Sequence, residues 1–263
     1  MTVAWIIDKI ESWAPTIWAE AWDNVGLLIG DTSQEIKKVL VALDATDDVI
    51  NEAIDGNYNC IIAHHPLIFT PIKHITSKDA TGQKIIKLIK HGICLYAAHT
   101  NLDVAPDGVN DVLAEKLGIK NVTPMIPSAL NPAIGAGRVG LLENETALAE
   151  LTKHVKNALN LKDLRYTGDL NKKIKKVAIC GGSGMSYWQG AIDCDVYITG
   201  DVKYSDALKA LESGLSIIDI THYSGEAIII EAIVNRLRQK AKLDKIPLEI
   251  NPTSVNGQIL FTL

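Results

Sequence analysis

The sequence has no excess of positive charge. With 26 Lys and Arg against 31 Asp and Glu, its formal net charge of −5 gives no electrostatic basis for holding nucleic acid. It has no apolar run of the roughly 18 residues that a spanning helix needs, so no membrane segment is expected. The opening stretch, Met1 to Lys9, has neither a basic n-region nor a small-residue cleavage site, so no signal peptide is expected either. It has no C-x-x-C pair. Cys60, Cys94, Cys180 and Cys194 are scattered, and the first three lie in apolar strand-like runs. Buried, reduced thiols and a cytoplasmic location follow as expectations. There is no G-x-S-x-G elbow and no cysteine in a basic setting, which leaves covalent catalysis without support. There is no G-x-x-x-x-G-K-[ST] phosphate loop.

What is present is a chain of 263 residues, 47% hydrophobic, long enough for one large or two medium domains with a sizeable core. Residues 3–13 space Ile6, Ile7, Ile10 and Trp13 as one helix face, with Pro15 beyond its end. Residues 22–30 read as a turn and a short strand, and Val39–Leu43 as a strand ending at Asp44. Thr46 is a natural N-cap, Asp47 and Asp48 suit a first turn, and Gly56 closes that helix. A helix over 79–91 should turn Ile85, Ile86 and Ile89 inward and stop at Gly92, and another runs from Asp107 to Leu117.

Strand alternating with helix implies a mostly parallel sheet covered on both faces. Pro124, Pro127, Pro132, Gly135 and Gly137 then read as a linker. Beyond it, Arg138–Leu142, Lys176–Cys180 and Asp195–Thr199 read as strands, with a helical stripe at Leu148, Leu151, Val155 and Leu159. The expected class is therefore α/β, with two similar α/β domains, each a mixed, mostly parallel sheet flanked by helices. The first would comprise residues 1–126 and 215–263, and the second residues 127–214. The strand leading to His222 and a helix from Ser224 to about Lys240 would return the chain to the first domain, and Ile259, Leu260 and Phe261 would form a closing strand.

Three strand ends carry metal-capable chemistry. Cys60–Ala63 runs into His64 and His65, and Pro66 stops the ladder because it has no N–H to give. Ile93–Ala98 runs into His99 and Asp103, and Leu215–Ile220 into His222 and Glu226. Carboxyl ends of strands are where sites gather in open α/β sheets. Each feature has a plain structural reading of its own: a hydrogen-bonded histidine, a loop cap, a first-turn glutamate favoured by the helix dipole. Their repetition at three strand ends makes a metal site the better account. Imidazole with carboxylate suits zinc, iron, manganese or cobalt. Three histidines and two carboxylates exceed one tetrahedral site and suit two metals. His99 is expected to support a ligand or to serve as a general base. His74, His91 and His154 have no such partners and read as surface or structural. Gly181-Gly182-Ser183-Gly184 either cradles a phosphate or makes a tight turn, and Asp201 and Lys203 can line the same cleft.

The stretches Trp22-Asp23-Asn24-Val25-Gly26-Leu27, Ala63-His64-His65-Pro66-Leu67-Ile68-Phe69, His99-Thr100-Asn101-Leu102-Asp103, Thr199-Gly200-Asp201-Val202-Lys203-Tyr204 and Thr221-His222-Tyr223-Ser224-Gly225-Glu226 occur in this order. Together they resemble the Nif-three-like family of dinuclear-metal proteins, often called GTP cyclohydrolase 1 type 2. The resemblance covers nearly the whole chain. It implies paired α/β domains, a ring-shaped homohexamer, and two divalent metals held by His64, His65, Asp103, His222 and Glu226, with Glu226 touching both. It implies a metal-dependent hydrolase acting on a small anionic or nucleotide-like substrate. A non-enzymatic metal-loaded scaffold, metal carrier or regulatory binding protein is the alternative. Ser205 stands where the family pattern often has a histidine, so the resemblance assigns no proton donor from that stretch. The spacing between residues 124 and 138 leaves no room for the inserted domain that some members carry.

Overall fold

The computed structural model describes residues 1–129 and 131–261. It is a mixed α/β protein with two sheets, and the chain forms two compact units, Met1–Leu102 with Ile230–Gly257, and Asp103–Ile229 with Gln258–Leu263.

In the first unit the order is α1 (Val3–Glu11), β1 (Gly26–Ile29), β2 (Lys38–Ala42), α2 (Asp47–Asp55), β3 (Cys60–Ala63), α3 (Ala80–Lys90) and β4 (Cys94–Ala97). The caps are those the sequence calls for. Thr46 accepts from the Val49 N–H, and Gly56 is the residue at which α2 ends. Asp79 does for α3 what Thr46 does for α2, accepting from the Gly82 N–H at 2.8 Å. Leu40, Ala42, Ile61, Ala63 and Leu95 line one face of the sheet, against Val49, Ile50 and Ala53 of α2 and Ile85 and Leu88 of α3. The inward stripe of α3 is thus Gly82, Ile85 and Leu88, and Ile89, expected inside, is 60% exposed. The other face carries Val39, Val41, Ile62 and Tyr96, also buried, and Tyr96 donates to Glu11 of α1 at 3.4 Å.

Next come α4 (Thr100–Val104), α5 (Val109–Lys116), β5 (Lys120–Pro127), β6 (Gly135–Ala147), α6 (Leu148–Ala158), β7 (Arg165–Tyr166) and β8 (Lys173–Cys180). A 3-10 segment at Gly184–Ala191 leads to β9 (Val196–Thr199), α7 (Tyr204–Glu212), β10 (Ser216–Asp219) and α8 (His222–Glu226). Finally α9 (Ile229–Leu243) and β11 (Glu249–Pro252) bring the chain back to the first sheet.

The first sheet has the order β1-β4-β3-β2-β11. It is parallel from β4 through β11 and antiparallel at β1–β4. The second has the order β5-β6-β8-β9-β10-β7, with β8, β9 and β10 parallel at its centre and antiparallel pairs outside them. Side chains alternate across that centre as a pleat requires. Val177, Ile179, Val196, Ile198 and Ile218 face one cluster with α5 and α6. Ala178, Cys180, Tyr197 and Ile217 face another with Met185, Ala191 and Ala210.

Three expectations change here. The proline-rich stretch 124–137 is not a linker, because β5 and β6 pair across it as a hairpin. Proline is admissible there because β5 is an edge strand, with one side needing no ladder donor. The strand leading to His222 stays in the second unit, parallel to β9, and α9 makes the return instead. The units therefore divide at Leu102 and Ile229 rather than at 126 and 215. The closing strand is β11, while Ile259, Leu260 and Phe261 are exposed and carry no strand.

Arg138 ties the second unit together. It is 2% exposed and donates to both carboxylate oxygens of Asp111 at 2.6 and 3.0 Å. It also donates to the carbonyls of Gly135, Gly137 and Ala105, each at 2.9 Å. Arg138→Met should therefore strand Asp111 and three carbonyls. We expect it to lower stability by about 3–5 kcal/mol, the scale of a broken buried pair, read as a lowered melting midpoint. A change below about 1 kcal/mol would mean that the pair behaves as an ordinary surface contact.

Candidate metal centre

In the first unit, β2, β3 and β4 are parallel neighbours, so their carboxyl ends lie along one edge. They deliver Asp44 after β2, His64 and His65 after β3, and His99 after β4. β1 runs antiparallel to β4, with Gly26 opposite Ala97, so the turn that precedes it, carrying Asp23, reaches the same edge. The ladder continues past Ala63, with the His64 and His65 N–H groups donating to Ala42 and Leu43 at 3.1 and 2.9 Å. The three rings close a triangle with centroids 5.0, 5.2 and 5.4 Å apart. One ligand atom from each of His64, His65 and His99 lies within 4.8 Å of the others.

Every one of these imidazoles is held at Nδ1 by an acceptor. His64 Nδ1 is 2.7 Å from the Ala98 carbonyl, His65 Nδ1 is 2.9 Å from Asp44 Oδ1, and His99 Nδ1 is 2.9 Å from Asp23 Oδ1. Carbonyls and carboxylates only accept, so Nδ1 carries the proton and Nε2 is the atom left for a metal. This is how metal-ligating histidines are oriented. Asp23 is the most enclosed of the supports, its side chain fully shielded. Burial works against its charge, but hydrogen bonds from His99 and Thr100 win and bring its carboxyl down to about 2. Its stabilising contribution is full above the ordinary carboxylate range and is lost as pH falls toward 2.

The second unit repeats the arrangement. The carboxyl ends of β8, β9 and β10 deliver the Gly181–Gly184 turn, Asp201 and His222. His222 Nδ1 is 2.8 Å from Asp201 Oδ2, and its Nε2 is 2.9 Å from Glu226 Oε2. Ser183 in turn donates to Asp201 at 2.8 Å. Carboxylate oxygens of Asp103 and Glu226 come within 4.8 Å of each other. The glycine turn serves this carboxylate: Gly182 has φ +59°, and a Cβ there would stand 1.9 Å from Glu226 Oε1. Asn110 sets the spacing, donating to the Asp103 carbonyl and accepting from the Gly181 N–H, both at 3.0 Å. Thr221, just before His222, holds φ 65°, ψ 160°, a conformation that costs a non-glycine residue about 1–3 kcal/mol.

Negative charge dominates this second cluster. The hydrogen bond to Glu226 is the main reason that His222 titrates at about 9, against the desolvation that would lower it, and Asp201 adds to the rise. Burial pushes the nearby Cys180 thiol up to about 12, and the charges of Asp103 and Glu226 push the same way. A cluster that holds a proton this tightly is one that a cation can fill.

Residues 1–257 match the family model described as Duf34/NIF3 (NGG1p interacting factor 3). The chain belongs to the Duf34/NIF3 family. It is 41% identical to a GTP cyclohydrolase 1 type 2 homolog of Clostridium perfringens, over 91% of this chain and 92% of the relative. A protein of the same name from Staphylococcus aureus is 31% identical over 97% and 98%. Among solved structures, a Bacillus cereus protein related to NIF3 superposes with a TM-score of 0.94 at 28% identity, covering 100% of this chain and 99% of that one. Reduced HcgD from Methanocaldococcus jannaschii does so with 0.78 at 32%, over 97% and 98%.

For this Duf34/NIF3 chain, sequence reasoning named His64, His65, His99, Asp103, His222 and Glu226. The structure clusters the first three in one unit, and Asp103 and His222 around Glu226 in the other. It missed the roles of Asp23, Asp44 and Asn110. A signal was there for Asp44, which lies two residues past β2 as His99 lies two past β4. Ser205 lies in the first turn of α7, exposed. His154 contacts the Leu117 carbonyl at 3.1 Å, His91 ends α3 and His74 is exposed.

Because His222 is protonated below about pH 9, a cation taken up at Nε2 must displace that proton. Loading at pH 7 should release a proton from this site, and affinity should rise about tenfold per pH unit until pH 9 and then level off. Calorimetry in buffers of different ionisation enthalpy measures the release. Asp201→Asn should move the levelling-off to lower pH, because it removes one of the contacts that raise the His222 pKa, while weakening metal about 10–100-fold. A levelling-off at the same pH in both proteins would separate Asp201 from the site.

Proposed function

We propose that this chain holds two divalent metals, zinc, iron, manganese or cobalt, through His64, His65, Asp103, His222 and Glu226, and hydrolyses a small anionic, nucleotide-like substrate. The observation that carries the reading is the shared orientation of His64, His65, His99 and His222, each held at Nδ1 by a carbonyl or carboxylate with Nε2 turned to its cluster. Core histidines have no need of that repetition. The family resemblance supplies the ligand set and the place of Glu226 as the carboxylate that touches both metals. When bound, a metal pair lowers the pKa of a water and clamps two oxygens in a displacement.

The chain's own residues have distinct tasks in this reading. Asp44 and Asp201 aim His65 and His222 and raise their basicity. Glu226, 4% exposed, offsets the repulsion of two nearby cations. His99, fixed by Asp23, is the proton acceptor, since its ring faces the His64–His65 pair while Asp23 stabilises the charge it takes on. The protein works in the cytoplasm as a homohexamer. The reducing compartment suits four free, buried cysteines, and the ring follows from the family resemblance.

Elemental analysis after reconstitution should give about two metals per chain, since five ligands exceed one tetrahedral site. Glu226→Gln should lose at least one. His99→Ala should keep both and lose about 10²–10⁴-fold in turnover, in a screen of nucleotides and other anionic esters and amides. A fully loaded protein with no turnover across the screen would favour the metal carrier or scaffold. Loss of metal from His99→Ala would make His99 a ligand.

A further inference from the structure

Phenylalanine is the scarcest large hydrophobic residue here, with two in 263 residues, and Phe69 is 52% exposed. Beside it stands Trp22, 55% exposed. Their ring centroids are 5.6 Å apart at 44°, and both rings abut His99, at 6.0 and 6.4 Å. Single exposed hydrophobics are ordinary on any protein. A pair of aromatics in mutual contact, both open to solvent and both against the ring of a histidine in the candidate site, is not.

The pair is held by the same bonds that hold the site. Trp22 adjoins Asp23, whose carboxylate accepts from His99 Nδ1, the Asn24 N–H, the Thr100 N–H and the Thr100 hydroxyl. Phe69 follows Ile68, whose carbonyl accepts from the Asn24 side chain at 2.6 Å. Asn24 thus ties the Trp22 turn to the segment after His65. The rings meet at an angle and leave no slot between them. Together they offer a half-exposed aromatic surface against His99, whose ring in turn packs on His64 and His65; a surface already assembled loses less ordering on binding.

We propose that Trp22 and Phe69 are a stacking platform that holds the planar heteroaromatic ring of a substrate against the histidine cluster. Stacking is the recognition that such surfaces provide, and it tolerates different bases because each has a π face. This deepens the reading of the site as a hydrolase of nucleotide-like substrates by naming the residues that select a ring. His99 contacts both the platform and the His64–His65 pair, so a ring held there lies beside the proposed ligands.

The test uses the metal-loaded full chain with GMP, AMP, CMP and UMP as probes and ribose 5-phosphate as the ring-free control. At least one nucleotide should bind more tightly than ribose 5-phosphate and quench indole emission, and the quenching should vanish in Trp22→Phe while affinity is largely kept. Trp22→Ala/Phe69→Ala should bind that nucleotide about 10- to 100-fold more weakly, with ribose 5-phosphate binding, metal content and melting midpoint unchanged. Nucleotides that bind no better than ribose 5-phosphate would overturn the proposal. So would a double variant that binds like the parent, or one whose only change is its oligomeric state, which would make the pair a contact with a second copy. Ring-dependent binding without turnover leaves the platform standing and removes the hydrolase. Nucleotide turnover indifferent to the double variant does the reverse.

Discussion

An imidazole that donates from Nδ1 to a fixed acceptor has its Nε2 aimed in one direction, and that constraint is imposed four times, on His64, His65, His99 and His222; in the first three Nε2 keeps its lone pair, and in His222 it holds a proton shared with Glu226. In the first unit the acceptors are a strand-end carbonyl and two aspartates, and in the second an aspartate braced by Ser183. Remove the acceptor and the ring can rotate or switch tautomer. A donor set assembled from several strand ends then loses its common direction. Parallel strands are the economical way to impose it. Each ends at the same edge, so a residue or two beyond each strand suffices to gather the imidazoles and the carboxylates that hold them.

Much of this could be read from the residues. Pro66 stops β3 immediately after His64 and His65, and apolar runs before His99 and His222 mark β4 and β10. Those features locate strand ends without any knowledge of sheet order. The alternation of caps and stripes likewise gives α2, α3 and α6 nearly to the residue. What could not be read is lateral order. Nothing local tells β10 to lie beside β9 in the second sheet rather than return to the first, and nothing in Glu249–Pro252 announces pairing with β2. The hairpin of β5 and β6 was hidden for a different reason. Proline signals a break unless the strand is known to be an edge, and edge status is a tertiary property. Asp23 was hidden as well, since a carboxylate in a turn has many uses and only its partner's position reveals which; Asp44 was marked by its place at a strand end, but not its bond to His65.

The second cluster shows how far the backbone is bent to serve its side chains. Gly182 is pressed so near Glu226 that no side chain fits, and Thr221 occupies a conformation suited to glycine. The Thr221 N–H donates to Asp219 at 3.0 Å, and Asp219 also receives Arg165. The strain at Thr221 is thus held from β10 and β7, and it fixes where α8 begins and so where His222 and Glu226 point. Local cost in conformation is exchanged for placement of His222 and Glu226, as at other sites built from strained residues.

The four cysteines acquire a use from their placement. Cys60 and Cys94 lie on adjacent strands of the first sheet, and Cys180 and Cys194 belong to the second unit's core. Burial raises the thiol pKa of all four, so none is a ready nucleophile while its unit stays closed. Alkylation at each position is therefore gated by local opening of its own unit. The chain carries a built-in pair of clocks, one per unit, whose separate rates of modification would time how each half breathes.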